Sequence, residues 1–335
     1  MKHRMPDDET VRSMIALAVR APSIHNSQPW RWVTGDNSVH LFADADRQLP
    51  ATDPDGRDLL VSCGAALHHA RVAFAAEGWA TIVHRLPNPA QPDHLAAVEC
   101  FPRTATAEDI ALAAAIPRRR TDRRRFSSWP VPTQLLDTLT ERAAKQGAIL
   151  LPVTDPDDRS QLTSAIIEAA RQQEANPAYA SELSAWAGRS FAATEGVPAA
   201  NTLSTPARHG DTAMRTFPHG ALPVEAEGWE DDAGELLVMG TSSDDRVSQL
   251  RAGEALSAVL LAATDLRLAT CPLSQPLEIG TTRAWLRDRV LDGAASPQMV
   301  LRVGWASTGD ESLPFTPRRA IDDVLSNFPD WWPHQ

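Results

Sequence analysis

At 335 residues the chain has room for two domains of about 100 to 200 residues each, and its 43% apolar and 22% charged residues are those of a folded globular protein rather than a disordered one. A formal net charge of −11 and a pI near 5.4 argue against any general affinity for nucleic acid or anionic membrane, so a local basic cluster needs a local purpose. The three cysteines, Cys63, Cys100 and Cys271, stand apart from one another, which argues against a disulfide framework and fits a cytoplasmic protein; neither secretion nor membrane spanning is expected.

Asp7 or Asp8 caps a predicted helix whose apolar residues Val11, Met14, Ile15, Ala18 and Val19 recur at helical spacing, and Pro22 ends it. Pro22 to Trp30 is then a loop. Arg31–Val33 and Val39–Phe42 flank the turn residues Gly35-Asp36-Asn37 and read as a hairpin. A helix from Gly56 to Glu77 and strands at Thr81–Leu86 and Ala96–Phe101 complete a first unit, residues 1–105. The second unit, 106–335, opens with a helix at Ala107–Ile116 and an arginine run. Helices are expected at Pro132–Gln146, 156–174, 178–190 and Val247–Leu266, with strands at Ala148–Val153, Glu235–Met239 and Gln298–Val303. Residues 187–231 are rich in Gly, Pro, Ala and Thr yet carry Phe191, Met214, Phe217 and Trp229, the pattern of a lid held by apolar anchors. A Trp-rich tail closes the chain.

An internal match links the two units. Gly64–Thr81 aligns without gaps on Gly253–Thr270 with six identities in eighteen, and in each half a strand-like stretch follows.

Two segments carry recognisable chemistry. Pro22-Ser23-Ile24-His25-Asn26-Ser27-Gln28-Pro29-Trp30 concentrates hydrogen-bonding side chains in one loop, and Arg118-Arg119-Arg120-Thr121-Asp122-Arg123-Arg124-Arg125-Phe126 concentrates guanidinium groups, which suit a phosphate through bidentate charge-assisted bonds. Together they resemble the FMN-dependent nitroreductase superfamily, with its R-R-S-x-R and P-S-x-x-N-x-Q-P-W signatures, here in reversed order. The closest register of the first signature is Arg119-x-Thr121-x-Arg123, with Arg120 and Arg124 as the alternatives one residue away. Nearly the whole chain is similar to the actinobacterial Acg-like group of fused NAD(P)H nitroreductases.

That resemblance implies an α+β fold of two tandem nitroreductase-like units, each a mixed or antiparallel sheet flanked by helices, joined as an intramolecular pseudo-dimer around one FMN. The first half keeps the loop signature and lacks the arginines; the second has the arginines, while Ala143-Ala144-Lys145-Gln146-Gly147-Ala148-Ile149 replaces the loop signature. The implied cofactor-binding residues are Ser23, His25, Asn26, Ser27, Gln28, Pro29, Arg119, Thr121, Arg123, Ser274, Gln275, Arg318 and Arg319. The arginines and Thr121 are assigned to the phosphate end, Ser23 and Asn26 to the ribityl chain and ring edge, Ser274 and Gln275 to the ring edge, Gln28 to the loop backbone or the ring, and His25 to a hydrogen bond or a stacking contact at the ring edge.

Activity, on the same resemblance, is hydride transfer from NAD(P)H through flavin to a nitro or quinone acceptor, with no side chain required as acid or base and none assigned as catalytic. The alternative is an FMN-sequestering or storage protein whose lid closes the site. A monomer is expected, since the usual dimer interface lies inside one chain. No metal-ligand spacing, G-x-G-x-x-G, G-K-[ST] or G-x-S-x-G motif occurs.

Overall fold

A computed structural model describes residues 5–190, 193–224, 232–307 and 313–328. Phe191, Trp229 and the Trp-rich tail lie outside the described residues. The first half consists of α1 (Asp8–Ala18), β1 (Trp30–Thr34), β2 (Ser38–Ala43), α2 (Arg57–Ala76), β3 (Trp79–Arg85) and β4 (His94–Pro102). There follow α3 (Ala107–Ala115), α4 (Thr133–Ala144), β5 (Ile149–Pro152), α5 (Pro156–Glu174), α6 (Pro177–Trp186) and the short strands β6 (Ala187–Arg189), β7 (Val197–Pro198), β8 (Arg208–His209) and β9 (Thr212–Ala213). The remainder is β10 (Glu235–Thr241), α7 (Arg246–Asp265), β11 (Ala269–Leu273), α8 (Gln275–Glu278), α9 (Gly280–Arg289), β12 (Ser296–Gly304) and β13 (Leu325–Asn327).

The architecture is α+β, with sheets flanked by helices. The first sheet has the order β13-β1-β2-β4-β3 and the second β11-β12-β10-β5. Setting β13 aside, the two share one topology: a helix, two strands, a long helix and two more strands, with the strands ordered first, second, fourth, third and every pair antiparallel. The exception is β13, which pairs parallel with β1 and brings the end of the chain into the first sheet. Its residues Leu-Ser-Asn carry no strand signal, and the sequence reading had no strand there.

Local chemistry accounts for the boundaries. Asp7 caps α1 by accepting the Thr10 N–H at 2.8 Å, and α1 buries Val11, Met14, Ile15 and Ala18 against α2 and the first sheet. α2 and α7 are buried nearly all round and run through the middle of the molecule. α2 is long and apolar enough to cross a membrane by length and composition, and it is mostly buried inside the protein.

The two long helices cross where the aligned glycines fall. A Cβ on Gly64 would lie 2.0 Å from the Leu250 carbonyl oxygen, and one on Gly253 would lie 2.0 Å from the Val61 carbonyl oxygen. The two contacts are mirror images in sequence, each glycine meeting the residue three before its counterpart. Only residues without a side chain let the backbones approach so closely.

The second sheet is covered on both faces. One face packs on α4 and α7, the other on α5, α8, α9 and residues of the 187–224 segment. β10 therefore reads as a continuous apolar run, Leu236-Leu237-Val238-Met239, rather than alternating. β11 is an edge strand, where Pro272 removes no needed ladder hydrogen bond. The sequence reading had α6 reaching residue 190; it ends at Trp186, and 187–189 turn into a strand. It also had no helix over Gly280–Arg289.

Candidate active site

The loop between α1 and β1 is tightly knotted. His25, Asn26 and Gln28 all have positive φ, at 45°, 54° and 50°, a backbone region that non-glycine residues adopt at a cost and that clusters at functional sites. The motif's polar residues supply the compensating bonds. Ser23 Oγ accepts the Gln28 N–H at 3.0 Å; Asn26 Nδ2 donates to the Gly196 and Pro317 carbonyls at 3.0 and 3.1 Å; Gln28 Nε2 donates to the Thr194 carbonyl at 2.9 Å. Gln28 Oε1 accepts the Arg319 N–H at 2.9 Å, and the Pro29 carbonyl accepts from the buried Cys63 thiol at 3.1 Å. Ser27 is fully buried and its carbonyl accepts from Arg47 at 2.6 Å. Asn26, Ser27, Gln28, Pro29 and Arg319 thus shape the loop and tie it to the 193–198 and 317–319 segments.

Against this loop lies a concave pocket, the form that small-molecule and cofactor sites take. Of the residues singled out in the sequence, Ser23, His25, Thr121, Arg123, Ser274 and Gln275 line it. Apolar wall comes from Leu256 on α7, Met299 on β12 and Leu273 on β11.

The arginine run is irregular and begins in the turn that ends α3, where the Arg119 N–H donates to the Ala115 carbonyl at 2.9 Å. Arg119 lines a small cleft with Arg20, Arg120, Phe315 and Arg318, while Thr121 and Arg123 line the pocket. The intervening Asp122 is buried and pairs with Arg124 at 2.7 Å.

The cleft is strongly cationic. Arg119 is buried, and its Nε and one Nη have no hydrogen-bond partner; Arg20 Nε is likewise buried and unpartnered. Among the described residues no carboxylate pairs with either. Burial and the neighbouring guanidiniums push Arg119 down to about 10 and Arg318 down to about 9. Such a cluster is completed by an anion. Arg318 also donates to the Val19, Arg20 and Ala21 carbonyls at 3.0, 3.0 and 3.1 Å, closing the C-terminal end of α1.

Residues 213–217 form the facing wall, and here the sequence reading missed the central side chain. Arg215 donates to His25 Nε2 at 3.1 Å and pairs with the fully buried Glu278, which also accepts from Gln173 Nε2 at 2.6 Å. Gln275 Nε2 joins the same network through Gln173 Oε1 at 2.8 Å. Phe217 meets the His25 ring edge-on at 5.7 Å and lies under Arg123 at 4.9 Å. Burial, with Arg215 and Arg123 nearby, holds His25 well below the usual imidazole range, so it is neutral and accepts at Nε2. Arg215, Asp58, Ser62 and Arg20 carry no motif signal; each is a single polar residue on a helix or loop, and only folding brings them to the site.

The nitroreductase family model matches residues 116–305. The chain is 44% identical to the protein named "Putative NAD(P)H nitroreductase Rv3131" of Mycobacterium tuberculosis strain H37Rv, covering 100% of this chain and 95% of that one. It is 40% identical to the protein named "Putative NAD(P)H nitroreductase acg" of the same strain, covering 97% of this chain and 98% of that one. Among solved structures, it resembles the FMN- and NADPH-dependent nitroreductase NfnB from Sphigopyxis sp. strain HMH, at 17% identity and a TM-score of 0.40, over 64% of this chain and 97% of that one.

Proposed function

The chain belongs to the nitroreductase family, and from that premise we propose that it is an FMN-binding, NAD(P)H-dependent oxidoreductase holding one flavin per chain. Its units, 1–105 and 106–335, form an intramolecular pseudo-dimer, a reading supported by the shared strand order and by the reciprocal contacts of Gly64 and Gly253. The observation that carries the flavin assignment is the line Arg119, Thr121, Arg123, which leads from a cationic cleft with unpartnered buried guanidinium nitrogens into a largely apolar pocket.

Arg119, Arg20 and Arg318 would hold the phosphate, Thr121 would offer its hydroxyl to the ribityl chain, and Arg123, Ser23, His25, Ser274 and Gln275 would surround the ring. The chemistry the flavin supplies when bound is hydride transfer from a nicotinamide to a nitro or quinone acceptor. The protein binds, orients and excludes water. Arg123 sets a positive charge in a buried place, which favours an electron-rich ligand there. The loop signature acts one step removed, by holding Ser23 and His25 in the pocket wall.

A second reading, a flavin-holding protein with little turnover, is favoured by one observation. Met214, Arg215 and Phe217 already line the pocket, and Arg215 is anchored by the buried Glu278, so the 187–224 segment acts as a closed lid over space that a nicotinamide needs.

One experiment separates the readings: reconstitution with FMN, removal of the excess, then anaerobic addition of NADPH while the flavin absorbance is followed. Bleaching establishes the reductase. Retained colour with one FMN per chain supports storage. Two FMN per chain overturns the single-site model, and no bound flavin overturns the proposal. Sedimentation should give a monomer.

A further inference from the structure

One carboxyl in the pocket wall has an oxygen without a partner. Asp58, in the first turn of α2, is 3% exposed and lines the pocket; its Oδ1 accepts from Arg57 Nη2 at 2.5 Å, and its buried Oδ2 makes no hydrogen bond. The backbone around it is pinned. The Asp58 N–H donates to Asp53 Oδ1 at 3.0 Å, and its carbonyl accepts from Ser62 Oγ at 2.6 Å, while Ser62 Oγ accepts the Ile24 N–H of the strained loop at 3.1 Å.

The charged groups facing Asp58 come from every side. Arg57 lies beside it on α2, Asp53 precedes the helix, Glu278 comes from α8 and Arg215 from the covering segment, with His25 neutral beyond Arg215. Three carboxyls therefore share two guanidiniums in a buried space, and one proton brings the cluster to neutrality. Two of the carboxyls have firm uses for their charge. Glu278 pairs with Arg215 and accepts from Gln173, and Asp53 accepts the backbone N–H groups of both Asp58 and Leu59. Arg57 is shared, since it also donates to the Gln298 carbonyl at 2.8 Å on β12. Asp58, with one oxygen unpaired, is where a proton costs least. Burial raises its pKa to about 7.

We propose that the Asp58 carboxyl is the proton donor of this pocket, its proton passing to a quinone reduced there. The proposal rests on the flavin-reductase reading for its source of electrons, a nicotinamide. The quinone takes up a hydride equivalent, the Asp58 O–H bond breaks, and a new O–H bond forms on a quinone oxygen. Quinone, hydride and proton together give the hydroquinone, and the nicotinamide is left oxidised. Arg57 stabilises the resulting carboxylate, and water at the pocket mouth returns the proton.

The test is a pH profile of kcat for NADPH-driven reduction of 1,4-benzoquinone by the FMN-loaded protein, beside an infrared titration of the flavin-free protein. Wild type should lose rate above about pH 7, and a protonated-carboxyl carbonyl band should fade over the same range. Asp58→Asn should lower kcat by about 10²-fold or more, abolish the alkaline limb and lack the band, at unchanged FMN stoichiometry; Asp58→Glu should restore the limb. An Asp58→Asn protein that keeps both kcat and the limb overturns the proposal. If that variant does not fold, the wild-type spectrum decides, and no carboxyl band fading between pH 6 and 8 overturns it. Failure to bind FMN would instead sink the flavin reading, leaving the infrared titration to judge Asp58 by itself.

Discussion

One pocket lies beside the α1–β1 loop and another beside the α4–β5 turn, and the two differ in what lines and borders them. Where the first unit has the strained loop Ser23 to Gln28, the second has Lys145 to Ala148 joining α4 directly to β5. Continuing the gapless alignment four residues past Thr81 and Thr270 sets Arg85 opposite Ser274. Ser274 leaves open wall; Arg85 instead reaches the fully buried Glu254 through two bonds of 2.7 and 2.9 Å. Arg71 adds a bond to Glu254 at 2.6 Å and one to Gln146, in the α4–β5 turn, at 2.8 Å. An ion cluster thus borders the second pocket, and its Arg71 and Gln146 stand in that pocket's wall. The topology is shared, and the few side chains that line each pocket set the two apart.

The largest expected effect lies in the first pocket. Replacing Arg119 and Arg123 together with alanine should weaken FMN binding by about 3 to 6 kcal/mol, from roughly 1.5 to 3 kcal/mol per charge-assisted bond, measured by fluorescence titration. Unchanged affinity would remove the distinction between the two pockets. Beside the second, Glu254→Gln should cost about 3 kcal/mol of stability by denaturant titration, the low end for breaking a buried pair because Arg71 and Arg85 reach solvent, with FMN stoichiometry still one. A loss of FMN binding there would show that the wrong pocket had been taken as the flavin site.

The crossing of α2 and α7 offers a test of the symmetry itself. Gly64→Ala and Gly253→Ala should each destabilise by about 1 to 3 kcal/mol or more, and by similar amounts, because each Cβ meets a carbonyl oxygen at 2.0 Å. Markedly unequal losses would break the equivalence of the two helices. A last effect is one of pH. Burial raises Asp58 from about 3.9 in the unfolded chain to about 7, so over that window the native state holds a proton the unfolded state lacks. Stability of the wild type relative to Asp58→Asn should therefore fall as pH rises from about 4 to about 7, by at most about 1.4 kcal/mol per unit. A difference that does not change with pH would leave Asp58 ionised throughout.

Most regular elements were legible in the chain because each has a local cause. Asp7 caps α1, the turn residues 35–37 close the β1–β2 hairpin, and apolar periodicity marks α2 and α7. The loop signature and the arginine run were also legible, as local concentrations of one chemistry. What they do individually was less so. Asn26 read as a ligand contact and Gln28 as reaching the loop backbone or the ring, and the fold uses their amides on the Gly196, Pro317 and Thr194 carbonyls; Arg318 read as a phosphate contact, and it also closes α1.

By itself the sequence determined the family resemblance, most helices and strands, and the chemistry of an arginine run and a polar loop, since these are written in neighbouring residues. Only the tertiary structure decided that Arg20 joins Arg119, that Arg215 reaches across to His25 and Glu278, that Asp58 is left with a free oxygen, and that Arg85 meets Glu254. The physical reason is that burial and partnership are properties of distance in space. Arg215 and His25 lie 190 residues apart in the chain, and no local pattern records that they meet.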